Sequence, residues 1–159
     1  MSMTDIDFLR HILATIAYRA AKTMRDAPES FAGFQPGPTS STPVQIVAHM
    51  GDLFDWALSM AKGEGLWRES VPQGWDDEVA RFFASIKEFD VFLAGPTSIE
   101  SSWERLFQGP IADALTHVGQ LAMLRHLFGS PIRGENYFKA DIAVGQVGPV
   151  QPPPRRLFD

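Results

Sequence analysis

Apolar side chains recur at alternating spacings of three and four in four stretches of the chain, each nearly free of glycine and proline. That period is helical, so each stretch predicts a helix able to bury one face. The first carries Ile6, Leu9, Leu13, Ile16 and Ala20 on one stripe and predicts a helix over about residues 4–25. The second opens on Ser41, Thr42 and Pro43, a hydroxyl cap before a first-turn proline. It places Ile46, Met50, Leu53, Ala57 and Met60 on one face, predicting about 43–62. The third follows Trp75 with Asp76, Asp77 and Glu78, acids suited to a helix N-terminus, and then Val79, Phe82, Phe83, Ile86, Phe89 and Leu93, predicting about 76–94 before Gly95-Pro96. The fourth starts at Gly109-Pro110, repeats Ile111, Ala114, Leu115, Val118, Leu121 and Ala122, and meets Gly129 and Pro131, predicting about 110–128.

Four such helices are the parts of an all-α four-helix bundle, here one domain over residues 1–159. Residues 129–159 are rich in proline and glycine and predict an extended C-terminal tail. Ile132, Tyr137, Phe138, Ile142 and Val144 give that tail apolar side chains to pack on the bundle, with Tyr137, Phe138 and Ile142 as the expected anchors. Only Ile142 to Val147 hints at a short extended piece.

The 159 residues, 45% of them apolar, suffice for one core. A net charge of -5 without a basic stripe argues against a nucleic-acid partner. With no cysteine, the chain offers no disulfide, no thiolate metal ligand and no thiol nucleophile, which fits a cytoplasmic location. No apolar run has the length of a membrane span, and Asp5, Asp7 and Arg10 stand where a signal peptide needs an apolar block.

Two of the four histidines occupy comparable places. If consecutive helices alternate in direction, the second and fourth run parallel. His49, six residues beyond Pro43, then lies roughly 9 Å into its helix, and Asp113 and His117 lie roughly 5 and 10 Å beyond Pro110. Asp113 and His117 are an i, i+4 pair and share a face. Two imidazoles and a carboxylate at one level are a sufficient ligand set for a divalent cation with open positions left over. The same residues also read as packed histidines and a first-turn acid.

Asp52 and Asp55 are candidates to orient His49, or else exposed helix acids. Arg125 falls on the apolar stripe of its helix and is expected to find an ion-pair partner. His11 shares a polar face with Asp7 and reads as solvated, and His126 stands in the last turn of the fourth helix, where the dipole favours a cation; neither is a ligand candidate. In the tail, Arg133, Glu135, Asn136, Tyr137 and Asp141 form a polar cluster, and Tyr137 and Asp141 are weak candidates to line a substrate site.

The run Pro43-Val44-Gln45-Ile46-Val47-Ala48-His49-Met50-Gly51-Asp52-Leu53, together with His117-Val118-Gly119-Gln120-Leu121 continuing to Leu124-Arg125, resembles the DinB/YfiT-like superfamily. The resemblance covers the four predicted helices, with its specific motifs on the second and fourth. It implies a bundle of mirror-variant up-and-down topology, often dimeric, with a metal held by one histidine of the second helix and two of the fourth. Those positions fall on His49, on His117 and, four residues before it, on Asp113, where this chain departs from the family. Bundles resembling the mycothiol-dependent maleylpyruvate isomerases place an acid at the equivalent position. The resemblance therefore implies a divalent metal, zinc first, with nickel or iron as alternatives. It also implies hydrolysis, or transfer of a low-molecular-weight thiol, on a small-molecule substrate. The alternative is a non-catalytic bundle that binds a small molecule or partner at a degenerate metal site.

Overall fold

The computed structural model describes residues 4–96 and 98–159. Four long helices and one short one are present, and the described residues contain no strand, only an isolated bridge between Glu135 and Leu157. None of these helices is long and apolar enough to cross a membrane.

Helix starts follow the cap chemistry. α1 (Asp5–Met24) begins at Thr4, whose side chain accepts from the Asp7 amide at 3.1 Å while the Asp7 side chain reaches back to Thr4. α2 (Pro43–Ala61) repeats the device with Thr42 and Gln45, and its first residue is the proline, whose missing N–H would have no helical partner there. α3 (Trp75–Ala94) carries Asp76, Asp77 and Glu78 in its first turn. α5 (Ala112–Phe128) ends at Gly129, in the left-handed region at φ 86°, which glycine reaches without a Cβ clash.

The fourth predicted helix appears as α5, which begins just past Gly109-Pro110, and a short helix precedes it. A short α4 (Trp103–Leu106), capped by the Ser102 side chain, leads through a wide π-type turn, Phe107–Ile111, into α5. Gly109 leaves helical geometry at φ -90° and ψ -105°, so Gly109-Pro110 is a kink inside a longer helical path.

The expected alternation of helix directions is corrected by the contacts. Arg10, early in α1, pairs with Asp90, late in α3, at 2.9 Å, so α1 and α3 are antiparallel. Arg81 meets Asp52 at 2.9 Å, and Lys62, just past the end of α2, sits over the ring of Phe92 near the end of α3, so α2 and α3 run parallel. Arg125 donates to the carbonyls of Thr23 and Arg25 at the end of α1, which sets α1 and α5 parallel. Trp56 shares a cleft with Gly109 and Ala112, whereas Ile46 shares another with Met123, so α2 and α5 are antiparallel.

The order is up, down, down, up, and the connection 62–74 must return along the whole of α2. It does so as a strap. The Leu66 amide donates to Ser59 Oγ at 2.7 Å and the Ser70 amide to Asp52 Oδ2 at 3.0 Å, stepping back down the helix.

Leu13, Ile16, Met50, Phe54, Phe82 and Leu121 are fully buried where the four long helices meet. The tail runs against α1. Glu135 is buried beneath it, Val147 enters the core, and Tyr137 meets Tyr18 edge-on at 6.2 Å. Phe138, an expected anchor, is 97% exposed. It stands in a single tight turn, Tyr137–Lys139, where about three residues complete a revolution, so Tyr137 facing α1 turns Phe138 outward. Ile142 is half-buried against the core, and Ile142 to Val147 forms turns where a short extended piece is predicted.

Candidate metal centre

Asp113 and His117 stand one above the other on the face of α5 that looks toward α2, and His49 looks back from α2. One donor atom from each comes within 4.8 Å of the others. His49 Nε2 lies 3.5 Å from Asp113 Oδ2, and His117 Nε2 lies 3.5 Å from Asp113 Oδ1, one carboxylate oxygen toward each ring. The imidazole rings meet edge to face with centroids 4.9 Å apart.

These separations discriminate between two readings. A hydrogen bond between imidazole and carboxylate would close to about 2.7–3.2 Å. Ligands about 2.0–2.2 Å from a tetrahedral ion are instead separated by about 3.3–3.6 Å along the edges of the coordination polyhedron. The two 3.5 Å contacts, one to each oxygen of Asp113, are longer than the first range, and with one donor atom from each residue the three lie within 4.8 Å of one another, so the group could hold a metal ion. The antiparallel crossing of α2 and α5 brings it together, which corrects the parallel route by which the sequence predicts the same triad.

Gln120, one turn beyond His117, completes the arrangement. Its Oε1 lies 2.8 Å from His117 Nδ1. An amide oxygen only accepts, so this contact favours a proton on Nδ1, and in the neutral ring Nε2 then keeps its lone pair for the side facing Asp113. The residue stands in the His-x-Gly-Gln run, and its i+3 spacing is the signal that points to it.

The strap supplies the roof. Trp67 lies edge-on to His49 at 5.7 Å and to Trp56 at 5.6 Å. Beside the triad an open cleft of about 390 Å³ lies between Leu53 and Trp56 on α2 and the kink at Gly109 ahead of α5. The triad itself is partly open, with side-chain exposures of 37% for His49, 48% for Asp113 and 17% for His117.

The other sequence candidates are elsewhere. Asp52, with a side chain 3% exposed, accepts from both the amide and hydroxyl of Ser70 and from Arg81 Nη1, turning toward α3 and the strap and away from His49. Asp55 lies 3.6 Å from Arg81 and is half-exposed. Burial works against the charge of Arg81, but hydrogen bonds to Glu78 and Asp52 outweigh it and raise its pKa. Tyr137 packs on α1, where burial raises its pKa, and Asp141 pairs with Arg155 inside the tail, so neither lines the triad.

Arg125 has no carboxylate within 4.0 Å among the described residues. In place of the expected ion pair, it donates to the carbonyls of Thr23, Arg25 and Ser130 and to Ser130 Oγ, and burial lowers its pKa. Backbone carbonyls at two helix ends do the work of a counterion.

Compared with protein-family models, with curated proteins and with solved structures, the chain gives no match.

Proposed function

We propose that this chain is a metal-dependent enzyme of the DinB-like kind, acting on a small molecule by hydrolysis or by transfer of a low-molecular-weight thiol. The observation that carries the reading is the triad: three donor atoms within 4.8 Å of one another, held from two helices, beside an open cleft. A zinc-like divalent ion in such an incomplete protein set supplies Lewis acidity to a water, a thiol or a carbonyl. The chain's part is positional. Gln120 sets the tautomer of His117, Asp113 offers one oxygen to each histidine, and Trp67 and Trp56 shield one side from water. With no cysteine in the chain, a thiol would enter as cosubstrate.

The test is elemental analysis of protein purified without an affinity tag, followed by thiol-transfer and ester- or amide-hydrolysis panels for the zinc-loaded wild type and His117→Ala. The expected result is bound metal and an activity lost in the variant. An activity that survives loss of the metal overturns the mechanism.

One observation favours a second reading, a binding module. Apart from Asp113 the adjoining cleft is lined by no ionisable side chain, so the chain supplies no separate acid or base there. Metal binding with no activity across both panels decides for it.

We also propose a homodimer through α1 and α5. Phe8, Phe107 and Leu115 are exposed around an apolar groove of about 550 Å³ between α1 and the path from α4 into α5. Two helices about 25–30 Å long lying side by side offer a face near the ~800 Å² per partner that stable association uses. Leu115→Glu is expected to convert a dimer to a monomer in sedimentation; a wild type already monomeric at high concentration overturns this.

A further inference from the structure

α1 carries none of the three converging groups, yet its last turns form a second polar pocket with the tail. A cavity of about 210 Å³ lies between Tyr18, Lys22 and Arg25 on one side and Arg133, Glu135 and Leu157 on the other. Three cations there face one carboxylate, in a chain whose net charge is -5.

That carboxylate is already engaged. The Glu135 side chain is 1% exposed, its Oε1 accepts from the Tyr18 hydroxyl at 2.6 Å, and its Oε2 accepts from Lys22 Nζ at 2.8 Å. Lys22 and Glu135 thereby cancel, leaving two guanidinium groups. Arg133 donates through Nε to the Phe158 carbonyl at 2.7 Å, while its Nη2 is 3.9 Å from Asp159, beyond hydrogen-bond reach. Arg25 has no carboxylate oxygen within 4.0 Å among the described residues; its backbone donates to the Ala21 carbonyl and accepts from Arg125, and its guanidinium makes no hydrogen bond to them. A cation at a helix C-terminus is favourable by itself, but these two also border a half-open pocket lined by Pro152, Pro154 and Leu157.

We propose that this pocket binds a small organic carboxylate. The anionic head would lie against Arg25 and Arg133, whose planar forks match a carboxylate in a two-point contact. Its apolar body would lie on the two prolines and Leu157. At roughly 30 Å³ per water the cavity has room for about seven waters, which restricts the body to a short chain or a single ring.

The probe is benzoate, with benzamide as its neutral counterpart and inorganic phosphate as an anion without an apolar body, titrated by calorimetry and amide NMR without added metal. The expected result is saturable benzoate binding that shifts Lys22, Arg25 and Glu135. Affinity should fall about tenfold in Arg25→Gln, the loss of one charge-assisted contact, and benzamide and phosphate should each bind more weakly than benzoate. Arg25→Gln keeps the carbonyl that Arg125 uses, so its thermal midpoint should match the wild type. Leu157→Trp, which fills the cavity, should abolish binding while leaving zinc binding at the triad intact. Equal binding of benzamide, phosphate as tight as benzoate, an unchanged affinity in Arg25→Gln, or no saturation would each overturn the proposal.

Discussion

Two polar clusters share α2 and differ in what their atoms are doing. Toward α3, Asp52, Glu78, Arg81 and Ser70 form a closed knot. Arg81 donates to Asp52, Glu78 and the Ala48 carbonyl at 2.6–2.9 Å, and the strap amides of Ser70 and Gln73 take up further carboxylate oxygens. Toward α5, His49, Asp113 and His117 approach to 3.5 Å and stop, leaving their lone pairs aimed at common space. A group that stabilises the fold consumes its hydrogen-bonding capacity internally; a group built to receive a ligand converges without doing so.

The largest expected effect tests the closed member. Arg81→Ala strands two carboxylates that are each 3% exposed and should cost about 3 kcal/mol or more in chemical denaturation. A change below about 1 kcal/mol would show that the knot is not the structural member of the pair.

His117→Ala should do the reverse. Zinc affinity, measured by competition with a chelating dye, should fall at least about 100-fold, while metal-free stability moves by less than about 1 kcal/mol. A metal-free protein destabilised as strongly as Arg81→Ala would make the triad another structural cluster. Gln120→Leu is the finer probe: freeing the His117 ring should weaken zinc about tenfold, and an unchanged affinity would remove Gln120 from the centre.

The smallest effect contrasts both clusters with the buried pair under the tail. Burial, and then the hydrogen bond to Glu135, raise the pKa of Tyr18 above its ordinary value of 10.0. The unfolded chain therefore loses this proton first as pH rises. The contribution of the phenol to stability is complete below pH 10 and is eroded as pH climbs past it toward the folded value. Tyr18→Phe should cost about 1 kcal/mol at neutral pH and flatten the alkaline decline. An identical decline in the variant would place its origin elsewhere.

Helices were the legible part of this chain because their ends are written locally: Thr42 with Gln45, and glycine at position 129. Gly109-Pro110 likewise marks the kink ahead of α5, whereas the short α4 before it, whose Leu106 is fully buried, had no periodic signal of its own. Helix direction is not written in apolar periodicity at all. It depends on the path of residues 62–74, whose determinants are side chains such as Ser59 and Asp52 reaching for strap amides. The ligand pair on α5 is legible from i, i+4 spacing, and His49 from its neighbours, whereas Trp67 approaches His49 by the unforeseen route of the strap. Phe138 shows the limit of composition: a large apolar residue in an otherwise docked segment, turned outward by one tight turn.

The parallel placement of α2 and α3 also sets a minimum length on their connection. Nineteen residues of α2 rise about 28 Å, and the segment 62–74 between the helices reaches at most about 45 Å when fully extended. Removing more than about four of its residues would leave a tether too short to join the two ends at ~3.3 Å per residue. Added residues would meet no such limit, since the entropic cost of a longer loop grows only logarithmically. Length variation in this connection is thus one-sided, open to insertion and closed to shortening.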